Sequence, residues 1–288
     1  MVRNCLLLVF TALLSAVPRV PAPRRFEATG LVLAVDAPNQ TITISHAAIP
    51  AYMEAMSMPF HVRDAKLLAV ARPGDTVAFT LIVDKTTSRL TALRVTEFQS
   101  AERDPALASR LKLLDTASGK PAAAEITPGQ TVPDFTLTDQ MNRPVALANL
   151  RGKVVVLNFI YTRCPLPDYC FRLSNNLGRL QKRFAGRHDL VLLTITFDPV
   201  HDVPEVLARY AQIWKADPAI WHFLTGPTAD VERVCEMFGV AHWRDDGLFT
   251  HSLHTVVIDR AGKAVANLEG NRFTAQQLGD LAETVLNR

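Results

Sequence analysis

Two separate groups of residues in this chain carry soft donor atoms. His46 is followed by Met53, Met56 and Met58, and Cys164 is followed by Cys170, with His251 far downstream. Thioether, thiolate and imidazole together form the ligand set that selects a soft ion such as Cu(I) over harder cations. Met56 and Met58 lie two apart, so in a strand they share a face. His46 ends the preceding strand, and a neighbouring strand brings its imidazole to the two sulfurs, a site for Cu(I) or Ag(I). The alternative is that these methionines are ordinary core filler.

Cys164 directly follows a continuous apolar run, Lys153 to Tyr161, and Cys170 opens the helix after it. A helix N-terminus stabilises a nearby thiolate, lowering the thiol pKa and raising reactivity or metal affinity. Pro165 and Pro167 stiffen the intervening loop, while Asp168 adds a negative charge that opposes ionisation. A structural disulfide is the alternative, although so short a loop removes little chain entropy. Cys235 falls with Val231, Val234 and Phe238 on one helical face and is predicted to be an inert buried thiol. His251 and His254, three apart in an extended strand, point to opposite sides, so only one of them can join the cysteines. Trp221, Trp243 and His242 are candidates to flank the site.

The elements that must position these residues fall into two sets. From Phe26 to Phe98 come short β-branched runs broken by turn signals: Gly30 to Val35, Gln40 to His46, Ser57 to Val62, Asp75 to Asp84 and Leu90 to Phe98. Five such strands suit a small all-β barrel of the OB type. Residues 99–128 form an Ala-, Pro- and charge-rich linker with a short helix predicted at Ala106 to Leu114. Beyond it a hairpin (Asp134 to Leu137, Val145 to Leu147) leads to two buried strands, Lys153 to Tyr161 and Leu190 to Phe197. These alternate with helices at Phe171 to Phe184 and from Pro204. Strands Thr255 to Asp259 and Ala264 to Leu268 precede a last helix that opens with the capping box Thr274-Ala-Gln-Gln277. This is the strand, cysteine, helix order of an α/β thioredoxin-like sandwich.

At 288 residues the chain has room for two domains. Its net charge of +3, with no basic run after the first 25 residues, excludes the electrostatic footprint of a nucleic-acid binder. Residues 1–25 combine Arg3, an apolar run from Cys5 to Val17 and a Pro/Arg-rich end. That run is too short to span a bilayer but suits a secretory signal peptide, with an uncleaved N-terminal anchor as the alternative. Export implies a compartment in which disulfides persist.

Residues from about Gly129 to the end resemble the Sco/SenC family of thioredoxin-like copper proteins. The resemblance lies in KVVVLNFIYTRC ending at Cys164-Pro165, TITFDPVHDVPEVLARYA around Asp198-Pro199, FLTG at Phe223 to Gly226, and THSLHTVVIDRAGK, where His251 stands eight residues before Asp259. It implies that Cys164, Cys170 and His251 bind copper, as Cu(I) or Cu(II), in a protein serving assembly of the copper centre of cytochrome c oxidase. Its partner is then a copper-receiving protein, an oxidase subunit. The family usually separates its cysteines by three residues, whereas five stand here, Pro165 to Tyr169. Residues Phe26 to Phe98 resemble the CusF family of periplasmic Cu(I)/Ag(I) carriers, whose motif is a His followed by W-x-x-M-x-M. Here Met53 occupies the Trp position, replacing a cation–π contact with a third thioether.

The expectation is an exported, periplasmic copper metallochaperone, soluble or anchored by its N-terminal segment. An enzyme reading uses the same cysteines, with Cys164 and Cys170 as the redox pair of a thiol-disulfide reductase acting on a copper-receiving partner. The chain has no proline after Pro227, and so lacks the late cis-proline of thioredoxin oxidoreductases, which favours binding over catalysis. A copper sensor or buffer is a third reading.

Overall fold

Alternating apolar residues make the first strands, and their inward faces close on each other. A computed structural model describes residues 23–84, 87–96, 125–245 and 248–288. The predicted leader or anchor, the Ala106 to Leu114 helix and most of the linker lie outside these. Strands β1 (Arg24–Asp36), β2 (Thr41–His46), β3 (Met56–Val62), β4 (Thr76–Asp84) and β5 (Thr87–Val95) form a closed barrel in the order β1-β2-β3-β5-β4. A one-turn helix, α1 (Lys66–Ala69), not anticipated from the sequence, plugs it with Leu68. Ile42, Ile44, Phe60, Val62, Phe79 and Leu81 fill the interior.

The remaining strands form a seven-stranded sheet and a separate hairpin. These are β6 (Thr136–Asp139), β7 (Pro144–Ala146), β8 (Val154–Ile160), β9 (Leu190–Thr196), β10 (Trp221–Thr225), β11 (His242–Asp245), β12 (Leu248–His251), β13 (His254–Ile258) and β14 (Ala264–Glu269). The sheet order is β14-β13-β8-β9-β10-β6-β7, with β8, β9 and β10 parallel and the outer strands antiparallel. β8 and β9 are buried at every position because helices cover both faces. Helices α2 (Arg172–Arg183), α3 (Pro204–Ile213), α4 (Thr228–Met237) and α5 (Ala275–Leu286) supply those covers. α2 buries the predicted Leu173, Leu177 and Leu180 stripe, and α5 carries the predicted capping box.

Besides α1, three strands were not read from the sequence. β10 is five residues long and lies between β9 and β6, and β11 and β12 pair as a two-stranded sheet of their own. The hairpin alters an expectation. His251 and His254 do not alternate along one strand, since β12 ends at His251 and β13 begins at His254.

The barrel packs directly on the sandwich. Leu31 and Leu33 of β1 join the core cluster that contains Leu278, Leu281 and Val285 of α5. That explains why β1 is buried at four consecutive positions, Gly30 to Leu33, where a barrel strand with one wet face would alternate. Ser45 Oγ donates to Asp280 Oδ2 at 2.7 Å, and Gln277 Nε2 donates to the Ser45 carbonyl at 3.0 Å. Among the described residues no helix is long and apolar enough to cross a membrane.

Candidate metal centres

β8 ends in the sandwich interior, and the chain then turns out through Thr162 and Arg163 to Cys164. Residues Pro167–Phe171 make a wide helical turn, kinked at Tyr169, before α2 begins. This turn absorbs the five-residue spacing. It returns Cys170 to the interior at 1% exposure while Leu166, Tyr169 and Phe171 stay outside. The sulfurs of Cys164 and Cys170 and a ring nitrogen of His251 all lie within 4.8 Å of one another. Asn271, just before α5, donates its side-chain amide to the Asp168 carbonyl and steadies the turn.

The two thiols are not equivalent. Cys164 is held down to about 4, first by the hydrogen bond it receives from the Cys170 thiol and then by His251, against the cost of partial burial. Cys170 is pushed up because it is desolvated and lies beside the Cys164 sulfur. The prediction that a helix N-terminus activates both thiols is therefore corrected: Cys164 alone is activated, chiefly by its partner thiol. Burial also drives Cys235 upward, in keeping with an inert core thiol.

His251 is fixed by a bond from Nδ1–H to the Ser252 carbonyl at 2.8 Å, which turns Nε2 toward the cysteines, 3.7 Å from Cys170 Sγ. Its ring rests among Tyr161, Phe197 and Tyr169, with centroids 5.7, 4.6 and 6.3 Å away. This aromatic wall was not legible as such, because its members come from three separate segments. His242 flanks the site as a neighbour of Phe197, on which it stacks at 5.3 Å. Trp221 does not flank it: the indole is fully buried in the core and donates to Thr194 Oγ1. Trp243 lies on the β11–β12 hairpin, and His254 bonds to Asn267 instead of turning to the cysteines.

In the barrel, His46 pairs directly with Met56 across β2 and β3, and Ile44 pairs with Met58. Both methionines thus share the imidazole's face, as the spacing predicted. Met56 is 42% exposed, whereas Met58 packs partly into the core. Met53 stands in the turn between those strands, exchanging backbone bonds with Ile49. His46 repeats the arrangement of His251: Nδ1–H donates to the next residue's carbonyl, Ala47, at 2.7 Å. The outward nitrogen, Nε2, is buried without a hydrogen-bond partner. A buried ring nitrogen left unpartnered on the strand face that carries two thioethers fits a soft metal ion.

Fold and site together define a thioredoxin-like dithiol protein with a soft-metal ligand set, joined to a barrel with a second one. The SCO1/SenC family model matches residues 123–286, more than half of the chain, and the chain belongs to that family. A model described as copper binding periplasmic protein CusF matches residues 25–95. The SCO1 protein homolog of Bacillus subtilis is 30% identical over 96 residues, 33% of this chain and 49% of its own. Protein SCO2, mitochondrial, of Saccharomyces cerevisiae is 31% identical over 160 residues, 52% of each chain. The chain thus spans about half the length of these curated relatives. A SCO1/SenC family lipoprotein from Bacillus anthracis shares the fold at a TM-score of 0.50 and 24% identity, covering 57% of this chain and 99% of that one. Copper is the metal to which donor sets and families alike point.

Proposed function

We propose that the chain is an exported, periplasmic copper metallochaperone with two sites. The barrel captures Cu(I) through His46, Met56 and Met58, with Met53 as a third thioether. The sandwich holds copper on Cys164, Cys170 and His251 and delivers it to a copper-receiving protein. Family membership suggests a cytochrome c oxidase subunit as that recipient. Residues 1–25 are the leader or anchor, 26–98 the capture domain, 99–128 the linker and 129–288 the delivery domain.

The observation that carries this reading is the shared histidine geometry. Each imidazole is locked by its Nδ1–H onto a carbonyl; Nε2 of His251 lies 3.7 Å from Cys170 Sγ, and Nε2 of His46 is buried without a partner on the strand face that carries Met56 and Met58. Fixing the ring this way sets the tautomer and raises ligand basicity. At neutral pH Cys164 is a thiolate, and metal binding releases the proton of Cys170.

The test is an anaerobic Cu(I) titration of the reduced protein against a competing chelator, with Cys164→Ser/Cys170→Ser and Met56→Ala/Met58→Ala variants. The expected result is two tight equivalents, each lost with its own variant. Tight binding at the methionines alone overturns the delivery site and leaves the cysteines a redox pair.

A second reading, thiol-disulfide reductase, is favoured by the low Cys164 pKa. The Cys164 thiolate attacks a partner disulfide and releases one partner thiolate. Cys170 then gives its proton to His251 Nε2 and attacks Cys164, releasing the second thiolate and leaving a Cys164–Cys170 disulfide. Turnover of a disulfide substrate that survives copper chelation, and that His251→Ala slows without abolishing, supports it.

A further inference from the structure

We propose that Asp198 is a positioning residue for the dithiol–histidine site, its buried carboxylate clamping the arm that carries Cys164 to the arm that carries His251. The inference rests on the copper reading of that site. The two arms have different origins. Cys164 leaves the end of β8, in the middle of the main sheet, whereas His251 ends β12, in a hairpin that belongs to no larger sheet. A two-stranded hairpin has little stability of its own, so something must fix it against the cysteine loop.

Asp198 does so with one oxygen for each arm. Its side chain is fully buried; Oδ2 accepts from Arg163 Nη2 at 2.7 Å and Oδ1 from Arg244 Nη2 at 3.0 Å. Arg163 immediately precedes Cys164, and Arg244 belongs to β11. The Arg244 guanidinium also lies 5.0 Å over the ring of Phe249, its cross-strand partner on β12. Phe249 in turn packs on Tyr161 and Phe197, which line His251. Asp202 fixes the base of the same arm, accepting from the Thr162 amide and hydroxyl, from Thr196 and from His201.

Asp198, His201 and Asp202 also bring ligand atoms within 4.8 Å of one another. They make no cation site, because every carboxylate oxygen already accepts from an arginine, a threonine or His201. The cluster is a joint, and its two guanidiniums point at the two arms of the site.

The test is a double-mutant cycle in the full chain, read as Cu(I) affinity by chelator competition. Arg244 is 57% exposed, so its truncation spares the core. Arg244→Ala is expected to weaken the cysteine site about 10-fold, the scale of losses from groups that orient a ligand. In a His251→Ala background the same change is expected to cost nothing more, because the arm then carries no ligand. The barrel site, read in the same titration, stays unchanged and reports folding. Asp198→Asn, which keeps the size, should weaken the site and shift the Cu(II)–thiolate absorption. An Arg244→Ala loss that persists in full without His251, or no loss where His251→Ala gives one, overturns the clamp alone. No loss on His251→Ala itself overturns the copper reading, and the clamp with it.

Discussion

Cys164 and Cys170 share one environment but hold different protonation states, and that difference can be measured. An ordinary thiol titrates near 9, whereas Cys164 titrates at about 4. Between those values the native protein binds fewer protons than the unfolded chain. The stability contributed by Cys164 is therefore full above about pH 9, shrinks as pH falls and is gone below about pH 4. Alkylation should follow the thiolate. At about pH 6 iodoacetamide is expected to modify Cys164 in the reduced metal-free protein, with Cys170 and Cys235 untouched, as mass spectrometry of the peptides would show. Cys170→Ser is expected to raise the pH at which Cys164 reacts, because a serine hydroxyl is a different donor to the sulfur. Equal labelling of all three would contradict the asymmetry.

Strand pairing, more than any single ligand, places the barrel's donors. Gly30 of β1 stands opposite His46 of β2. A Cβ there would meet Ile44 Cγ2 at 2.5 Å, the Ser45 carbonyl at 2.7 Å and His46 Cα at 2.9 Å. Two of these are backbone atoms, so the strand itself must shift. Gly30→Ala is expected to destabilise the protein by about 1–3 kcal/mol and to weaken Cu(I) binding at the barrel, since β2 carries the imidazole. Met56→Ala, at an exposed side chain, is expected to lower the same affinity while leaving stability within about 0.5 kcal/mol. Chemical denaturation beside chelator competition separates the two. Loss of affinity in Gly30→Ala without loss of stability would count against the steric account.

At the scale of the whole molecule, the barrel and the sandwich behave as neighbours with a built joint. Asp280 of α5, nearly buried, accepts from Ser45 of the barrel and pairs with Arg183 of α2 at 2.7 Å. Gln277, two residues past the first residue of α5, closes the capping box and bonds the Ser45 carbonyl as well. The strand end that presents His46 is thus tied to the helix whose approach, through Asn271, steadies the cysteine turn. Asp280→Ala leaves Arg183 and Ser45 without this partner and is expected to cost about 1–3 kcal/mol. It should also split a single calorimetric transition into two, as the domains begin to unfold separately. One unchanged transition would mean that the apolar contact of Leu31 and Leu33 holds the joint alone.

What the sequence determined by itself was whatever depends on period and on donor chemistry. Alternation in Gln40 to His46 and Ser57 to Val62, the buried runs of β8 and β9, and the Leu173, Leu177, Leu180 stripe gave the two folds, because local pattern decides which face is apolar. Soft donors at His46, Met56, Met58, Cys164, Cys170 and His251 gave the class of metal, because affinity follows ligand softness before geometry. Tertiary structure decided the rest. Which thiol is acidic depends on Cys170 being the inner one, a matter of burial that no spacing records. The packing of Tyr161, Phe197 and Tyr169 around His251, the pairing of Asp198 with Arg163 and Arg244, and the seat of the barrel on α5 join residues tens of positions apart. Their energies exist only once the chain has closed those distances.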